Sequence, residues 1–315
     1  MRIDLHTHST VSDGTCTPTE VIEGAVEAGL DVVALTDHDG LGGWPEAAAA
    51  ADRLGIGFVP GVELSCRWYG VEPAIPLHLL GYHVDPDHSG LGTEMARVRD
   101  ARLRRAERIV DLMRADGIDV TWEEVQAYAL GDTVGRPHLA QAIIKRGLAT
   151  TVAEAFAPSM LGERWRLPKE DTDVFQALAL VLEAGGIPVF AHPRATRRGQ
   201  VVPDELIVAM AEVGLAGLEA DHDDHSPTER EEIHALARRL DLVATGSSDF
   251  HGSNKPVRLG ANLTTPEAYE ALLARRPSCF ARCAPAPVLR SWMFWGARAT
   301  RTIQDRRRGR LKVAD

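Results

Sequence analysis

Residues 1–13 read MRIDLHTHSTVSD, and the segment His6-Thr7-His8 inside them decides how the rest of the chain is read. A short apolar run ends in two histidines one residue apart, and Asp13 follows five positions after the second. In a strand, residues i and i+2 point the same way. His6 and His8 therefore share a face, and Leu5 is left for the core. An HxH pair by itself is weak evidence: two surface or hydrogen-bonded histidines explain it as well as a ligand pair does. What decides between them is what the other strands carry at their ends.

Outward from that segment, strands and helices alternate. Thr17-Pro18-Thr19-Glu20 has the residues of a capping box with proline at the first helical position. The helix it opens stops at Gly29. DVVALTDHD (31–39) is a β-branched strand, GFVPGVELS (57–65) a third and LHLLGYHV (77–84) a fourth. From Met95 to about Leu167 the pattern is helical, with a second capping box at Thr121–Glu124 and a helix start at Pro137. Strand-helix alternation then returns, with strands at IPVFAHP (187–193), AGLEADH (216–222) and DLVATGSSDFH (241–251). Repeated βα units predict a parallel sheet. Seven strands without a glycine-rich dinucleotide fingerprint predict an α/β fold closed, or nearly closed, into a (β/α)7 barrel. The expected divisions are a first barrel part (1–92), an all-helical insertion domain or cap (93–168), a second barrel part (169–285) and a basic C-terminal tail (286–315).

Composition sets limits on function. The 315 residues are 44% apolar and 25% charged, with a net charge of −10. That balance argues against a dedicated duplex-DNA binder, which needs a basic face. No run approaches a membrane span, and the N-terminus lacks the features of a signal peptide. A cytoplasmic protein without a membrane partner is expected. Cys16, Cys66, Cys279 and Cys283 form no CxxC pair and read as ordinary reduced thiols.

The strand ends supply the missing context. The first gives His6 and His8, with Asp13 in the next loop. The second gives Asp37 and His38, the third Glu63, the fifth His192, and the last Asp249 and His251; His78 lies near the start of the fourth. Strand ends of a βα barrel converge on one face, where active sites form. Imidazole mixed with carboxylate suits manganese, iron(II) or zinc more than magnesium alone. These ligand groups exceed the needs of one ion, so two or three divalent ions sharing bridging carboxylates are expected. His222 and His225 follow a strand end and border the same region, whereas His83, His88 and His234 read as surface or packing residues.

HTHS with Asp13, then LTDHD, GVELS, HLLGY, AHP and SSDFHG, in that order, resemble the PHP family of metal-dependent phosphoesterases, relatives of the amidohydrolases. GRPHLAQ (135–141) resembles an element of the branch that acts on nucleotides and short RNA. The resemblance implies a distorted seven-stranded barrel with a trinuclear site. It implies His6, His8, Glu63 and Asp249 around one metal, Asp13, His38 and His192 around a second, and Glu63, His78 and His251 around a third. It also implies catalytic roles for Asp37, His192 and Asp249, with Asp37 orienting its neighbour, and substrate contacts from Arg136 and His138; Arg194 and Lys255, in loops near His192 and His251, are further candidates for substrate contact. The loop from Arg194 and the segment GSNKPVRLG depart from the branch pattern, and both would border the site.

The activity implied is hydrolysis of a small phosphorylated substrate, with manganese the first choice of ion. Ions a few ångströms apart acidify a bridging water and neutralise phosphoryl oxygens. A nucleoside 3′,5′-bisphosphate converted to the 5′-monophosphate is the first expectation. Trimming of short RNA from the 5′ end, histidinol-phosphate hydrolysis and a non-catalytic metal-binding module are the alternatives.

Overall fold

A computed structural model describes residues 1–129 and 134–277. The tail at 286–315, with Cys279 and Cys283, lies outside the described residues. In chain order the elements are β1 (Ile3–Asp4), α1 (Pro18–Glu27), β2 (Val32–Leu35), α2 (Trp44–Leu54), β3 (Gly57–Trp68), β4 (Ile75–Tyr82), α3 (Ser89–Ala115), α4 (Trp122–Gln126), α5 (Arg136–Lys145), α6 (Val152–Ala155), β5 (Thr172–Asp173), α7 (Val174–Glu183), β6 (Ile187–Ala191), α8 (Asp204–Glu212), β7 (Gly217–Asp221), α9 (Pro227–Arg239), β8 (Val243–Gly246) and α10 (Pro266–Leu273). No helix among the described residues is long and apolar enough to cross a membrane.

The sheet runs β1-β2-β3-β4-β6-β7-β8, with β5 paired to β3 off that path. Beyond the strand ends, Thr7 bridges Phe250 in parallel, and His8 N–H donates to the Phe250 carbonyl at 2.8 Å. The two ends of the path thus meet, and the sheet is a nearly closed barrel. Asp4 ties the seam by accepting from the backbone N–H groups of Ser248 (3.0 Å) and Gly260 (2.8 Å).

One expectation is corrected. The sheet is not parallel throughout: β4 runs antiparallel to both β3 and β6. A parallel partner needs a crossover of about a dozen residues or more. Residues 69–74 between β3 and β4 are too few and form no helix. The reversal explains an oddity of the sequence. His78 is near the start of its strand, yet pairs with Ser65 near the end of β3, so it reaches the same barrel mouth as the other strand ends.

Inside the barrel, Ile3, Leu5, Val32, Ala34, Val59, Leu80, Tyr82 and Val189 form a buried core. Tyr82 crosses it to donate its hydroxyl hydrogen to the Leu5 carbonyl at 2.9 Å. Outside, α1 and α2 cover β2 through Val21, Ile22, Ala25, Ala47 and Ala50. α7, α8 and α9 cover the far side.

α3 serves two cores. Leu91 and Met95 in its first turns belong to the barrel's outer core, and Ala106, Ile109, Val110 and Met113 belong to a separate core with α5 and α6. His88 caps its start by accepting from Leu91 N–H at 3.2 Å. Both expected capping boxes, at Thr17–Glu20 and Thr121–Glu124, are present.

Candidate metal centre

The barrel mouth gathers its ligand-type side chains around Glu63. β3 presents this carboxylate with 1% of its side chain exposed, and each oxygen faces different histidines. Glu63 Oε2 lies 3.3 Å from His6 Nε2, 3.1 Å from His8 Nε2 and 3.1 Å from His38 Nδ1. Glu63 Oε1 lies 2.7 Å from His78 Nδ1 and 3.1 Å from His192 Nε2.

Three loci can be drawn around it. In the first, His6 Nε2 and His8 Nε2 stand 3.0 Å apart, and Asp249 Oδ1 is 3.4 and 3.5 Å from them. In the second, Asp13 Oδ1 faces His251 Nε2 at 3.3 Å and Asp13 Oδ2 faces His38 Nε2 at 3.9 Å. The third holds Glu63 with His38 and His78, and His192 reaches the same Glu63 oxygen as His78. Within each of the sets His6/His8/Glu63/Asp249, His8/Asp13/His38/His251 and His38/Glu63/His78, one ligand atom per residue lies within 4.8 Å of all the others.

Two residues change places relative to the resemblance. His192 stands beside His78 and not with Asp13, because β6 pairs with β4 and Ala191 is opposite His78. His251 stands beside Asp13 and not with His78, because the barrel seam brings the end of β8 against the loop after β1.

Neighbouring groups fix the ligand orientations. Glu219 Oε1 accepts from His6 Nδ1 at 2.9 Å, which turns Nε2 toward Glu63. Glu219 Oε2 accepts from the His192 backbone N–H at 2.8 Å, and Ser247 Oγ also donates to this carboxylate. His251 Nδ1 donates to the Asp249 carbonyl at 2.8 Å, so the lone pair on Nε2 faces Asp13. His192 and Asp249 hold φ of 33° and 54°, a left-handed region that non-glycine residues enter at a cost of order 1–3 kcal/mol.

Asp37, for which the resemblance implies an orienting part, bonds to the loop after β1. Its carboxylate accepts from Ser9 N–H (2.8 Å), Ser9 Oγ (2.7 Å) and Ser12 Oγ (2.6 Å). These bonds occupy it in bracing the loop after β1. It acts on the centre through Ser12, whose Oγ is 3.3 Å from His8 Nδ1. Asp37 is thus a positioning residue.

The expected substrate contacts divide. Lys255 Nζ donates to Asp249 Oδ2 at 2.5 Å. α5 leans on the centre, since Gln141 donates to Asn254 (3.2 Å) and Asn254 donates to the Asp13 carbonyl (2.8 Å). His138, buried on α5, accepts from Gly135 N–H at 3.0 Å and feels the charge of Asp13. Arg136 lies over the Phe156 ring at 5.2 Å. Arg194 turns away: it donates to the Val202 carbonyl at 2.8 Å and to Asp204, which uses its guanidinium to hold its own loop. Arg198 takes that place, 2.7 Å from Asp249 Oδ2 and 3.0 Å from His192 Nε2. His222 also meets Asp249 Oδ2, at 3.2 Å; the Asp224 N–H donates to its Nδ1, so Nε2 carries the hydrogen.

The field of the centre favours cations. Burial opposes ionisation of Glu63, Asp13 and Asp249, yet the surrounding histidines, and Lys255 at Asp249, hold all three well below the usual carboxylate range. Burial opposes protonation of His6 and His8, but the carboxylates outweigh it and raise both, His8 to about 9. Burial keeps His38 and His251 low, and burial with Arg198 takes His192 to about 3. Ionised carboxylates beside His38, His192 and His251, whose imidazoles are held neutral, suit divalent ions of borderline softness, and an ion at His6 and His8 would displace their protons. Asp13 Oδ1 is buried without a well-aligned hydrogen bond, as a carboxylate oxygen facing a cation would be.

Comparison with known proteins gives concordant matches. The PHP domain model matches residues 4–120. A 3′,5′-nucleoside bisphosphate phosphatase of Chromobacterium violaceum is 32% identical over 79% of the chain and 87% of its own length. A 5′-3′ exoribonuclease of Salmonella typhimurium is 30% identical over 85% of the chain and 92% of its own. A solved metal-dependent phosphoesterase from Bifidobacterium adolescentis superposes with a TM-score of 0.82 at 35% identity, covering 89% of this chain and 98% of that one.

Proposed function

The chain belongs to the PHP family of metal-dependent phosphoesterases, and from that premise we propose that it removes a phosphoryl group from a small nucleotide. The substrate we assign is a nucleoside 3′,5′-bisphosphate, converted to the 5′-monophosphate and phosphate. The observation that carries the reading is Glu63, with each of its two oxygens facing a different set of buried imidazoles.

We assign His6, His8, Glu63 and Asp249 to one ion, Asp13, His38 and His251 to a second, and Glu63, His78 and His192 to a third, with manganese as the working ion. Such ions supply positive charge against phosphoryl oxygens and make water acidic enough to ionise near neutral pH. The chain's own residues then have distinct tasks. Glu219, Ser12 and the Asp249 carbonyl orient the imidazoles. Arg198 and Lys255, both held against Asp249 Oδ2, supply cationic donors at the mouth for developing negative charge. Ser9 and Ser12 donate to Asp37, which occupies their hydroxyls and leaves neither free as a nucleophile. Residues 93–168 we read as a cap, with Arg136 and His138 on its inner side.

A second reading, 5′-3′ trimming of short RNA, is supported by the Salmonella relative. One experiment separates them. Manganese-loaded protein is given adenosine 3′,5′-bisphosphate, 5′-phosphorylated RNA tetramers and histidinol phosphate. The proposal expects the highest kcat/KM on the bisphosphate; a higher value on RNA supports the second reading, and turnover of histidinol phosphate alone overturns both.

A further inference from the structure

Arg198 meets the barrel mouth through all three guanidinium nitrogens. Nε donates to Asp224, Nη2 donates to Asp249 Oδ2 at 2.7 Å, and Nη1 lies 3.0 Å from His192 Nε2. The residue belongs to the loop from Arg194, where this chain departs from the branch pattern. The first two contacts are ordinary ion pairs. The third is contested, because His192 Nε2 also lies 3.1 Å from Glu63 Oε1.

One ring nitrogen cannot serve both neighbours. A guanidinium has donors only, so Nη1 needs the lone pair of Nε2. An ionised carboxylate has acceptors only, so Glu63 Oε1 needs a hydrogen there. With the lone pair, Nε2 suits Arg198 and faces Glu63 acceptor to acceptor. With the hydrogen, it suits Glu63 and faces Arg198 donor to donor. The imidazole is held in place: Glu219 Oε2 accepts from the His192 backbone N–H at 2.8 Å, and the rings of His78 and His222 each stand 5.3 Å from it. Arg198, with 34% of its side chain exposed, is the partner with room to move.

A divalent ion held by His192 takes the same lone pair and gives Glu63 Oε1 the positive charge it needs. It does so at the expense of Arg198. Nη1 loses its acceptor, and a guanidinium comes to face a cation. A phosphoryl group removes that penalty, because its oxygens offer Nη1 new acceptors and place negative charge beside both cations. Lys255 provides a contrast. It donates to the same Asp249 Oδ2, at 2.5 Å, but among the described residues it does not donate to His192.

We propose that Arg198 competes with the third ion for His192 Nε2, so that this ion binds weakly alone and tightly together with a phosphoryl group. By linkage, the phosphoryl group gains the same factor in affinity when that ion is present. The inference rests on the assignment of Glu63, His78 and His192 to a third ion.

The test reads ion binding and not turnover. Manganese is titrated by calorimetry into the chelator-treated full chain, with and without inorganic phosphate, for wild type, R198Q, R198K, K255M and H78A, each first melted to show that it folds. In wild type the weakest ion should bind about tenfold or more below the other two, tighten about tenfold or more with phosphate, and be the one lost in H78A. R198Q should tighten that ion about tenfold or more without phosphate and reduce the effect of phosphate on it. R198K, which keeps the charge, should stay nearer to wild type, and K255M should leave that ion within about threefold of it. A folded R198Q chain that binds this ion no more tightly than wild type overturns the competition, and loss of one ion in H78A then keeps the third locus. Equal tightening in K255M also overturns it, since general charge would account for the effect. A wild-type third ion indifferent to phosphate overturns it whatever the variants do. Ion binding unchanged in H78A overturns the third locus and the inference with it.

Discussion

Glu219 shows how much of this centre depends on residues that hold no ion. Its two oxygens take the His6 Nδ1 hydrogen and the His192 backbone hydrogen. Glu219→Gln keeps the shape but sets an amide NH2 against one of these donors and removes a charge that holds His6 in place. Divalent-ion affinity, measured by competition with a chromophoric chelator, should fall about 10–100-fold. Gly14 is a steric counterpart. A Cβ there would meet the His8 carbonyl oxygen at 2.6 Å and its carbon at 2.8 Å, both backbone atoms. Gly14→Ala should therefore displace the His8–Ser9 backbone, costing about 1–3 kcal/mol in chemical denaturation and lowering metal content as well. Neither residue stands out in the sequence. GLEAD around Glu219 reads as an ordinary strand, and Gly14 as an ordinary loop glycine. The gathering of ligand-type side chains was legible because HxH, TDH and SDFH stand at the ends of β1, β2 and β8.

At the scale of elements, strand order decided which ligands meet. The sequence places a histidine at the end of β6 and another after β8, but their partners depend on which strands are neighbours. Ala191 pairs with His78, and Phe250 bridges Thr7, so His192 goes to Glu63 and His251 to Asp13. The direction of β4 was readable in principle, since residues 69–74 leave no room for a crossover helix. The places of Arg194 and Arg198 do not follow from the sequence because loop backbones are not periodic: Asp204 and the Val202 carbonyl hold the Arg194 guanidinium, and Arg198 reaches the centre. The segment before β5 gives a pH prediction. Lys169 falls from 10.5 to about 8 on folding, through burial first and then neighbouring arginines. Below pH 8 it is charged in both states, and the full destabilisation is present. Between about pH 8 and 10.5 the folded chain has lost a proton that the unfolded chain keeps, so stability contributed by this site rises with pH. Lys169→Met should thus stabilise the chain by about 1–3 kcal/mol at pH 7, after allowance for solvent screening. That gain should shrink toward zero by pH 10.5, which urea titrations at several pH values will show.

Across the whole molecule, folding and the centre are linked through charge. The barrel closes by joining the segment after β1 to the segment after β8, and those segments carry His6, His8, Asp249 and His251. Ions bound there join both ends of the chain's barrel path. Each site held at 100 times its Kd should add about 2.7 kcal/mol to the folded state. Manganese added to chelator-treated protein should therefore raise Tm by roughly 5–10 °C. A Tm insensitive to manganese would mean that the ligand groups hold no ion in the folded chain. α3 extends this coupling to the helical core of α5 and α6, because its two halves are buried in two different cores. The alternation of helices and strands made the barrel and its helical insertion readable from sequence. The contact of Gln141 on α5 with Asn254 was not, because it depends on how α5 leans on the mouth.

The most direct test of the account is phosphate release from adenosine 3′,5′-bisphosphate by the chelator-treated chain, before and after manganese is restored. The account predicts no release before, and release with 5′-adenosine monophosphate as the other product after, with His8→Ala silent in both conditions. Equal release with and without manganese, or full activity in His8→Ala, would contradict it.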